Sequence, residues 1–317
     1  MVMGYPASGK STVSEEYIKK DYVYLNRDKA GGKVIDLLPV LEKALKSGKN
    51  VVIDNTFPTK ESRKPFIDLC RQNNTTIDCV LMDTKIEDAQ INALCRMYER
   101  HSRYFFHPED LKGVNDPNMF PVAALFRYRK EFQSPSTAEG FGTVQSVKFK
   151  RRPWGHTNKA LILDYDDTLR IVNGNAPRNE RNGELGYPCH PSEVSILNGR
   201  TEKIKQYKDA GYILLGVSNQ SGIAKGHLDH KTAEDCFRRT HELLGVDIEF
   251  HFCPHQSSPP VCYCRKPQSG LLVLLVQKHK LNPAECIFVG DQTSDKTAAE
   301  RMGISFEFAD KFFLSKD

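Results

Sequence analysis

Two short segments carry the residue types that handle phosphoryl groups. The pattern GxxxxGK[ST] is matched within GYPASGKS by Gly4, Gly9, Lys10 and Ser11. Its glycines let backbone amides face phosphate oxygens, its lysine reaches the outer phosphates, and its serine can ligate magnesium. The second segment, Asp164–Thr168 (DYDDT), carries carboxylates separated by one residue. Together the segments predict a chain that can both add a phosphate and remove one.

Strand ends near the first motif supply candidate bases. Asp28 follows the apolar run Tyr22–Leu25, and Asp54 ends the run Val51–Asp54; both runs are predicted strands. A carboxylate at such a strand end could accept the proton of an attacking hydroxyl, and we expect Asp54 to face the substrate as well. The alternative for either residue is a helix-capping or surface role.

The second motif follows the predicted strand Ala160–Leu163. We expect Asp164 to attack phosphorus as a covalent nucleophile and Asp166 to protonate the leaving hydroxyl. Three later segments add to this motif. Ser218, at the end of one strand, is expected for the phosphoryl group, Lys266 as a cation, and Asp291 with Asp295, after another strand, for magnesium. We expect Asp164, Asp166 and Asp291 to bind a magnesium ion. The ion would offset the repulsion between the anionic carboxylate nucleophile and the anionic phosphate.

A cysteine-rich loop precedes the predicted cation. The spacing CxHx6CxC places Cys253, His255, Cys262 and Cys264 together. Three thiolates and one imidazole form the ligand set of a closed, structural zinc site. Because Arg265 and Lys266 follow directly, we expect the metal to brace a loop that presents both cations to the substrate phosphate.

Apolar runs alternate with amphipathic stretches through both halves of the chain, which predicts α/β folds with parallel sheets. We expect a P-loop kinase-like domain in 1–150, a basic linker in 151–158 and a Rossmann-like phosphatase domain in 159–317. Further predicted strands are Ile77–Met82, Thr143–Phe149, Tyr212–Val217, Glu249–Phe252 and Ile287–Val289. Predicted helices are Gly32–Lys46, Ser62–Gln72, Glu202–Ala210, Lys231–Leu244, Leu271–His279 and Asp295–Met302. We expect a helical lid in 96–132 and an ordered loop or flap in 173–191.

The composition is that of a water-soluble globular protein: 317 residues, a net charge of +5 and a mean hydropathy of −0.51. No apolar run is long enough to cross a bilayer, and the triphosphate motif occupies the place of a signal peptide. Together with the clustered cysteines, these features predict an intracellular location, cytoplasmic or nuclear. Only Met1–Met3 precede Gly4, so we expect the first strand to be cut short by a truncated start.

The first half resembles a known family. The motifs GYPASGKS, NRD, VVIDNTFPTKESR, RYRKEF and PSTAEGF closely resemble the kinase domain of the polynucleotide 5'-hydroxyl kinase/3'-phosphatases, over roughly residues 3–150. The resemblance implies ATP binding at Gly4, Gly9, Lys10, Ser11 and Thr12, with magnesium on Ser11. It implies that Asp28 is the general base for a 5'-hydroxyl. It also implies that Arg96, or alternatively Arg100, stabilises the transferring phosphoryl group.

The second half resembles the haloacid-dehalogenase phosphatases in the order of its four motifs. Its cysteine loop and VSNQSGIAKG resemble the branch that contains heptose-bisphosphate and histidinol-phosphate phosphatases. The favoured function is healing of DNA or RNA ends for repair with ATP, magnesium and zinc, after which a ligase would act. One alternative is a small-molecule kinase fused to a sugar-phosphate phosphatase. Another is a disabled kinase domain that only binds nucleic acid.

Overall fold

A computed structural model describes residues 1–173, 187–259 and 262–314. The chain divides into two units, one made of Met1–Phe105 with Glu109–Arg152 and the other of Phe106–Pro108 with Pro153–Asp317. Each unit is built around its own parallel five-stranded sheet. No helix in the described ranges combines the length and apolar character that a membrane span requires.

In the first unit the strands lie side by side in the order β2-β3-β1-β4-β5. The strands are β1 (Val2–Met3), β2 (Val23–Asn26), β3 (Val51–Asp54), β4 (Cys79–Asp83) and β5 (Val144–Lys148). The helices are α1 (Lys10–Ile18), α2 (Arg27–Ala30), α3 (Leu38–Lys46), α4 (Lys60–Gln72), α5 (Ile86–His101) and α6 (Ala123–Glu131). Because Val2 pairs with both Asp54 and Val80, the loop after β1 leaves from the middle of the sheet.

Alternate residues of these strands point to opposite faces of the sheet, and each face has its own core. On one face, Met3 and Ile53 pack with Leu41 of α3 and Phe66 of α4. On the other face, the core is formed by Val2, Val52, Val80 and Met82, with Val13 and Tyr17 of α1 packed against it. Helices therefore cover both faces, which leaves the carboxyl edge of the strands for the loops that carry chemistry.

In the second unit the strand order is β10-β9-β6-β11-β12, and β7 and β8 form a separate antiparallel pair. The strands are β6 (Ala160–Leu163), β7 (Arg170–Val172), β8 (Val194–Ile196), β9 (Ile213–Asn219), β10 (Glu249–Cys253), β11 (Ile287–Gly290) and β12 (Ser305–Phe308). The helices are α7 (Arg200–Asp209), α8 (Ser221–Ala224), α9 (His230–Leu244), α10 (Gly270–His279), α11 (Thr293–Met302) and α12 (Ala309–Leu314). The core of this unit brings Leu161 and Leu163 of β6 against Phe237 of α9 and Phe312 of α12.

The predicted fold class, two α/β domains with parallel sheets, is confirmed. One predicted helix is wrong at its start: 32–46 contains a 3₁₀ turn, Val34–Leu37, before α3 begins at Leu38. Pro39 explains the break, because proline lacks an amide hydrogen and fits only the first turn of a helix. The strand predicted at 77–82 begins at Cys79 instead. Most of the predicted flap, residues 174–186, lies outside the described residues.

Candidate active sites

The loop between β1 and α1 has the backbone of an anion cradle. Gly4 and Gly9 have φ angles of +149° and +91°, and Ala7 is also left-handed at +59°. A Cβ at Gly4 would lie 2.9 Å from the Cβ of Met82, so only glycine fits at this close approach. Asn92 Nδ2 donates to the Ala7 carbonyl at 2.9 Å, which fixes the orientation of that peptide group. The first amides of α1 have no carbonyl partner within the helix, so the start of α1 can donate to an anion.

Lys10 is the cation of this loop. Its Nζ donates to the carbonyls of Gly4 at 3.3 Å and Tyr5 at 2.7 Å. Burial lowers the pKa of Lys10 to about 8, although nearby Asp54 opposes the shift. The Lys10 ammonium is therefore partly desolvated and held only by neutral carbonyl groups. It can exchange these hydrogen bonds for bonds to phosphate oxygens at little cost in free energy.

A cavity of about 480 Å³ lies in front of the loop. The predicted residues that line it are Gly9, Lys10, Ser11, Asp28, Asp54, Arg96 and Arg100. Gly4 and Thr12 do not line it, although both belong to the loop and its helix. The first unit thus gathers the phosphate loop, both candidate carboxylates and both candidate arginines around one space.

The two carboxylates differ in exposure. Asp28 lies in α2, directly after β2, where it is exposed and forms an ion pair with Arg27. Asp54 is the last residue of β3, is buried, and accepts a hydrogen bond from the Tyr24 hydroxyl at 3.0 Å. Burial raises the pKa of Asp54, with Lys10 opposing. An entering hydroxyl can reach Asp28, whereas Asp54 is held by its neighbours.

The two arginines of α5 also differ. Arg100 is bound through its Nε to a carboxylate oxygen of Asp116 at 2.7 Å. Within the described ranges Arg96 has one hydrogen-bond partner, the neutral Asn118 Oδ1, at 3.3 Å from its Nη1. Burial lowers the pKa of Arg96, and the adjacent positive charge of Arg100 adds to the shift. Of the two arginines, Arg96 is therefore the one whose charge no carboxylate pairs with among the described residues.

In the second unit, three carboxylates meet at the carboxyl edge of the sheet. Asp164 follows β6, and Asp291 follows the neighbouring strand β11. Oxygen atoms of Asp164, Asp291 and Asp295 all lie within 4.8 Å of one another. The buried Asp291 Oδ1 has no hydrogen-bond partner within the part of the chain that the structure describes. Oxygen donors of this number and charge fit a magnesium ion.

Lys266 lies inside this carboxylate cluster. Its Nζ is 2.7 Å from Oδ1 of Asp164 and 2.7 Å from Oδ1 of Asp295, and all three side chains are buried. Burial opposes the charge on Lys266, but the two carboxylates outweigh it and raise the pKa of Lys266. Burial raises the pKa of Asp164 to about 7, against the effect of Lys266. The lysine thus holds the expected nucleophile in place and compensates its charge.

The side chain of Asp166 lies outside the carboxylate cluster, whereas Asp295, which was also predicted for magnesium, lies within it. Oδ1 of Asp166 accepts from Arg170 Nε at 2.8 Å, and its Oδ2 accepts from Gln220 Nε2 at 2.8 Å. The same Gln220 nitrogen donates to Ser218 Oγ at 2.9 Å. The predicted acid–base and phosphate-binding residues are therefore joined by one amide. Asp167 adopts a left-handed φ of +60°, a conformation that aspartate tolerates.

The four predicted zinc ligands lie together. Cys253 Sγ is 3.6 Å from Cys262 Sγ and 3.3 Å from His255 Nδ1, which is 3.2 Å from Cys264 Sγ. A tetrahedral zinc ion with ordinary bond lengths separates two sulfurs by about 3.8 Å and a sulfur from a nitrogen by about 3.5 Å. The chemistry and spacing of the donors both fit zinc.

Three hydrogen bonds hold the segment that leads from the cysteine loop to Lys266. Arg265 Nη1 donates to the His255 carbonyl at 3.3 Å. The backbone of Lys266 exchanges two hydrogen bonds of 3.0 Å with the Asn219 side chain at the end of β9. These contacts fix the segment that presents the predicted substrate-binding Arg265 and the cation Lys266.

Sequence reasoning did not single out Arg170, Asn219 or Gln220. Asn219 and Gln220 directly follow Ser218 in the segment VSNQSGIAKG, so their position in the sequence could have identified them as site residues. Arg170 gives no such signal, because an arginine four residues after Asp166 reads as a surface residue. Its burial to 1% exposure becomes evident only in the folded chain.

These sites define a chain that joins a P-loop phosphotransferase-type domain to an aspartate-based phosphatase domain. Residues 1–103 match the family described as AAA domain, and residues 159–316 match the family described as polynucleotide kinase 3 phosphatase. Residues 159–316 belong to the polynucleotide kinase 3 phosphatase family, and the chain is an enzyme that joins this phosphatase domain to a P-loop domain.

Relatives of two kinds are similar to the chain. A D-glycero-beta-D-manno-heptose-1,7-bisphosphate 7-phosphatase of Haemophilus influenzae is 32% identical over 154 residues, which are 44% of this chain and 75% of that protein. A bifunctional polynucleotide phosphatase/kinase of Schizosaccharomyces pombe is 32% identical over 169 residues. That alignment covers 53% of this chain and 35% of the relative, so the chain spans about a third of that protein.

Solved structures are similar at low scores. A D,D-heptose 1,7-bisphosphate phosphatase from B. bronchiseptica, complexed with magnesium and phosphate, has 25% identity and a TM-score of 0.40, covering 47% of this chain and 79% of that one. A chain of the Pnkp1/Rnl/Hen1 RNA repair complex has 15% identity and a TM-score of 0.30, covering 97% of this chain and 94% of that one.

Proposed function

We propose that this chain heals nucleic-acid ends. Its first unit would transfer the γ-phosphoryl group of ATP to a 5'-hydroxyl, and its second unit would hydrolyse a 3'-phosphate through an aspartyl-phosphate intermediate. The observation that carries the proposal is the presence in one chain of the cavity around Lys10, Asp28 and Arg96 and of the carboxylate cluster around Asp164. The products, 5'-phosphate and 3'-hydroxyl ends, are those that a ligase joins.

In the kinase half, the exposed Asp28 would accept the proton of the 5'-hydroxyl while that oxygen bonds to the γ-phosphorus. The bond from phosphorus to the ADP oxygen breaks at the same time. Lys10 would hold the outer phosphates, and the unpaired charge of Arg96 would stabilise the transferring group. The roles follow from exposure and charge: the base must be reached by substrate, and the cation must be free of carboxylate partners.

In the phosphatase half, a carboxylate oxygen of Asp164 would bond to phosphorus while the bond to the 3'-oxygen breaks. Asp166 would give its proton to that leaving oxygen and then take a proton from the water that attacks the aspartyl phosphate. This second step releases inorganic phosphate and regenerates Asp164. Ser218 and Arg265 would bind the phosphoryl oxygens, with Ser218 buried beside Gln220.

Two metals belong to the proposal. Magnesium held by Asp164, Asp291 and Asp295 would offset the repulsion between a carboxylate and an anionic phosphate. Ser11 would ligate the magnesium that accompanies ATP. Zinc held by Cys253, His255, Cys262 and Cys264 would be structural, because its four ligands leave no open position. As ATP and polynucleotides are its proposed substrates, the chain would act inside the cell.

A second candidate substrate for the phosphatase half is a sugar bisphosphate. It is favoured by the heptose-bisphosphate phosphatases, of which the chain covers about three quarters. The two candidates share the same aspartate chemistry, because both substrates are alkyl phosphates. They differ only in the leaving group that the site must accept.

The test uses the full chain with ATP, magnesium and oligonucleotides that carry a 5'-hydroxyl or a 3'-phosphate. Lys10→Ala should lose phosphorylation and keep 3'-phosphate removal, and Asp164→Asn should do the reverse, so that each variant serves as the control of the other. Hydrolysis of heptose bisphosphate with no change at either oligonucleotide end would support the second candidate. Oligonucleotide binding without turnover would contradict both.

A further inference from the structure

The carboxylate of Asp166 is held from two sides. Arg170 donates to Oδ1 and Gln220 donates to Oδ2, each at 2.8 Å. Neither donor group can accept a proton in return, since a guanidinium and an amide nitrogen only donate. The side chain of Asp166 is therefore fixed in one orientation by neighbours that do not compete for its chemistry.

Arg170 is itself immobilised. It is 1% exposed, and its Nη1 donates to Thr240 Oγ1 at 3.1 Å, while that hydroxyl donates onward to the Cys236 carbonyl at 2.8 Å. The guanidinium lies 4.5 Å from the ring centre of Phe237 and 5.4 Å from that of Tyr165. Stacking and hydrogen bonding together leave the Arg170 fork a single position.

Gln220 binds the other carboxylate oxygen of Asp166, Oδ2, in a different way. Its Nε2 is shared between Asp166 Oδ2 and Ser218 Oγ, at 2.8 and 2.9 Å. An amide shared in this way can move toward Ser218 when Oδ2 carries a proton. Oδ1, by contrast, stays in an ion pair with the buried guanidinium. The two oxygens of Asp166 are thereby made unequal.

We propose that Arg170 is a positioning residue that reserves Oδ2 of Asp166 for proton transfer to the leaving oxygen. In the first half-reaction the Oδ2–H bond breaks and its proton moves to the ester oxygen as the bond from phosphorus to that oxygen breaks. In the second half-reaction Oδ2 takes a proton from water. The inference rests on the proposed aspartyl-phosphate function, and it adds the residue that aims the acid.

The test compares two leaving groups. A nitrophenolate leaves as a stable anion and needs no proton, whereas an alkoxide needs one. A displaced Asp166 should therefore slow hydrolysis of an alkyl phosphate far more than hydrolysis of p-nitrophenyl phosphate. The quantity to compare is kcat/KM, because it reports the steps up to the departure of the leaving group and excludes hydrolysis of the intermediate.

We expect Arg170→Met to lower kcat/KM for a 3'-phosphate oligonucleotide by ~10- to 100-fold, part of what general acid catalysis contributes. For p-nitrophenyl phosphate the loss should be no more than ~3-fold, since this substrate needs no acid. Arg170→Lys, which keeps the charge without the fork, should fall between Arg170→Met and the wild type. The ratio of the two kcat/KM values is independent of the active fraction of each preparation.

Arg200 provides the matched control. It is also a buried arginine, it lies 4.5 Å from the ring of Phe313, and its Nε donates to the Thr168 carbonyl at 3.0 Å, in the same DYDDT segment. It makes no contact with Asp166. Arg200→Met should destabilise the fold comparably and leave the ratio of the two substrates at the wild-type value.

An equal loss on both substrates in Arg170→Met, or no loss on either, would overturn the positioning role. These results differ from a failure of the proposed function. If wild type hydrolyses no phosphomonoester, or if Asp164→Asn remains active, then the aspartyl-phosphate mechanism itself is wrong. If the oligonucleotide is not a substrate but heptose bisphosphate is, the same comparison runs with that alkyl phosphate.

Discussion

The substitution Lys266→Met removes the only cation that contacts Asp164 and Asp295 among the described residues. Both contacts are 2.7 Å long and all three side chains are buried. The two carboxylates that remain have oxygens within 4.8 Å of each other. At an effective dielectric constant of about 20, their repulsion is on the order of 3 kcal/mol. Breaking a buried ion pair from one side typically costs ~3–5 kcal/mol.

For a unit of this size, such a loss lowers the unfolding midpoint by roughly 6 to 20 °C. The assay is thermal unfolding of the full chain, followed by a signal specific to the second unit, in the presence of a chelator. Magnesium added to Lys266→Met should recover part of the loss and should stabilise this variant more than wild type. The reason is that the ion supplies the positive charge that the carboxylates lost.

Lys278→Met is the control, since it removes the same charge from a pair of nearly equal length, the Lys278 Nζ to Glu249 Oε1 distance of 2.8 Å. That pair is half-exposed, so its loss should cost no more than ~1 kcal/mol. The reasoning is refuted if both variants unfold at the same temperature, or if magnesium stabilises Lys266→Met no more than wild type.

Three further predictions concern the other sites. Arg96→Ala should lower kcat for 5'-phosphorylation by ~100-fold. Arg100→Ala should have a smaller effect, because Asp116 already binds Arg100. Equal losses in the two variants would contradict the role of Arg96 in stabilising the transferring phosphoryl group. Elemental analysis of the wild type should find about one zinc per chain. The variant Cys262→Ser should lose this zinc, and its phosphatase unit should become less stable while its kinase activity persists. A wild type without zinc would refute the assignment. The pKa of Asp164 is raised to about 7 in the folded chain without metal. The unfolded chain therefore ionises first as pH rises, and this residue's contribution to stability is lost between its ordinary pKa and about 7. The free energy of unfolding of Asp164→Asn, relative to that of wild type, should accordingly rise from about pH 5 to about pH 8. If this difference in free energy does not change with pH, the raised pKa of Asp164 is contradicted.

The parts that were predictable from the sequence depend on local patterns. The run Ala160–Leu163 is wholly apolar, and it forms the fully buried strand β6 that was expected. The helix error at Val34–Leu37 was avoidable, since Pro39 restricts where a helix can begin. The β7–β8 pair was missed because each strand has three residues, too few for a periodic signal, and is stabilised by partners distant in sequence.

The candidate site was predictable in its residue types and less so in its geometry. Spacing alone suggested that Asp164, Asp166 and Asp291 share a metal. The structure groups Asp164 and Asp291 with Asp295, which was also predicted for magnesium, and leaves the Asp166 side chain outside. Gly290 leaves room for Asp295, because a Cβ there would lie 2.5 Å from the Asp295 Oδ2. The direction of a side chain at a strand end depends on such contacts between segments, which a single sequence does not display.

Both candidate sites must bring an electron-rich oxygen to an anionic phosphate. They differ in burial and charge because the nucleophile comes from the substrate in one site and from the protein in the other. In the kinase site the nucleophile would be a substrate hydroxyl, so its base, Asp28, has to be exposed, and the cations around it need no buried partner. In the phosphatase site the proposed nucleophile is the protein's own Asp164, which is buried and therefore needs a permanent cation, Lys266, at 2.7 Å. While its carboxylate bonds to phosphorus, Asp164 would have no proton to give to the leaving oxygen. That task requires a second carboxylate with a separate environment, which Arg170 and Gln220 give to Asp166. Under the proposed mechanism the division between Asp164 and Asp166 follows from their different environments, and Arg170 would be as much a part of the site as the carboxylates.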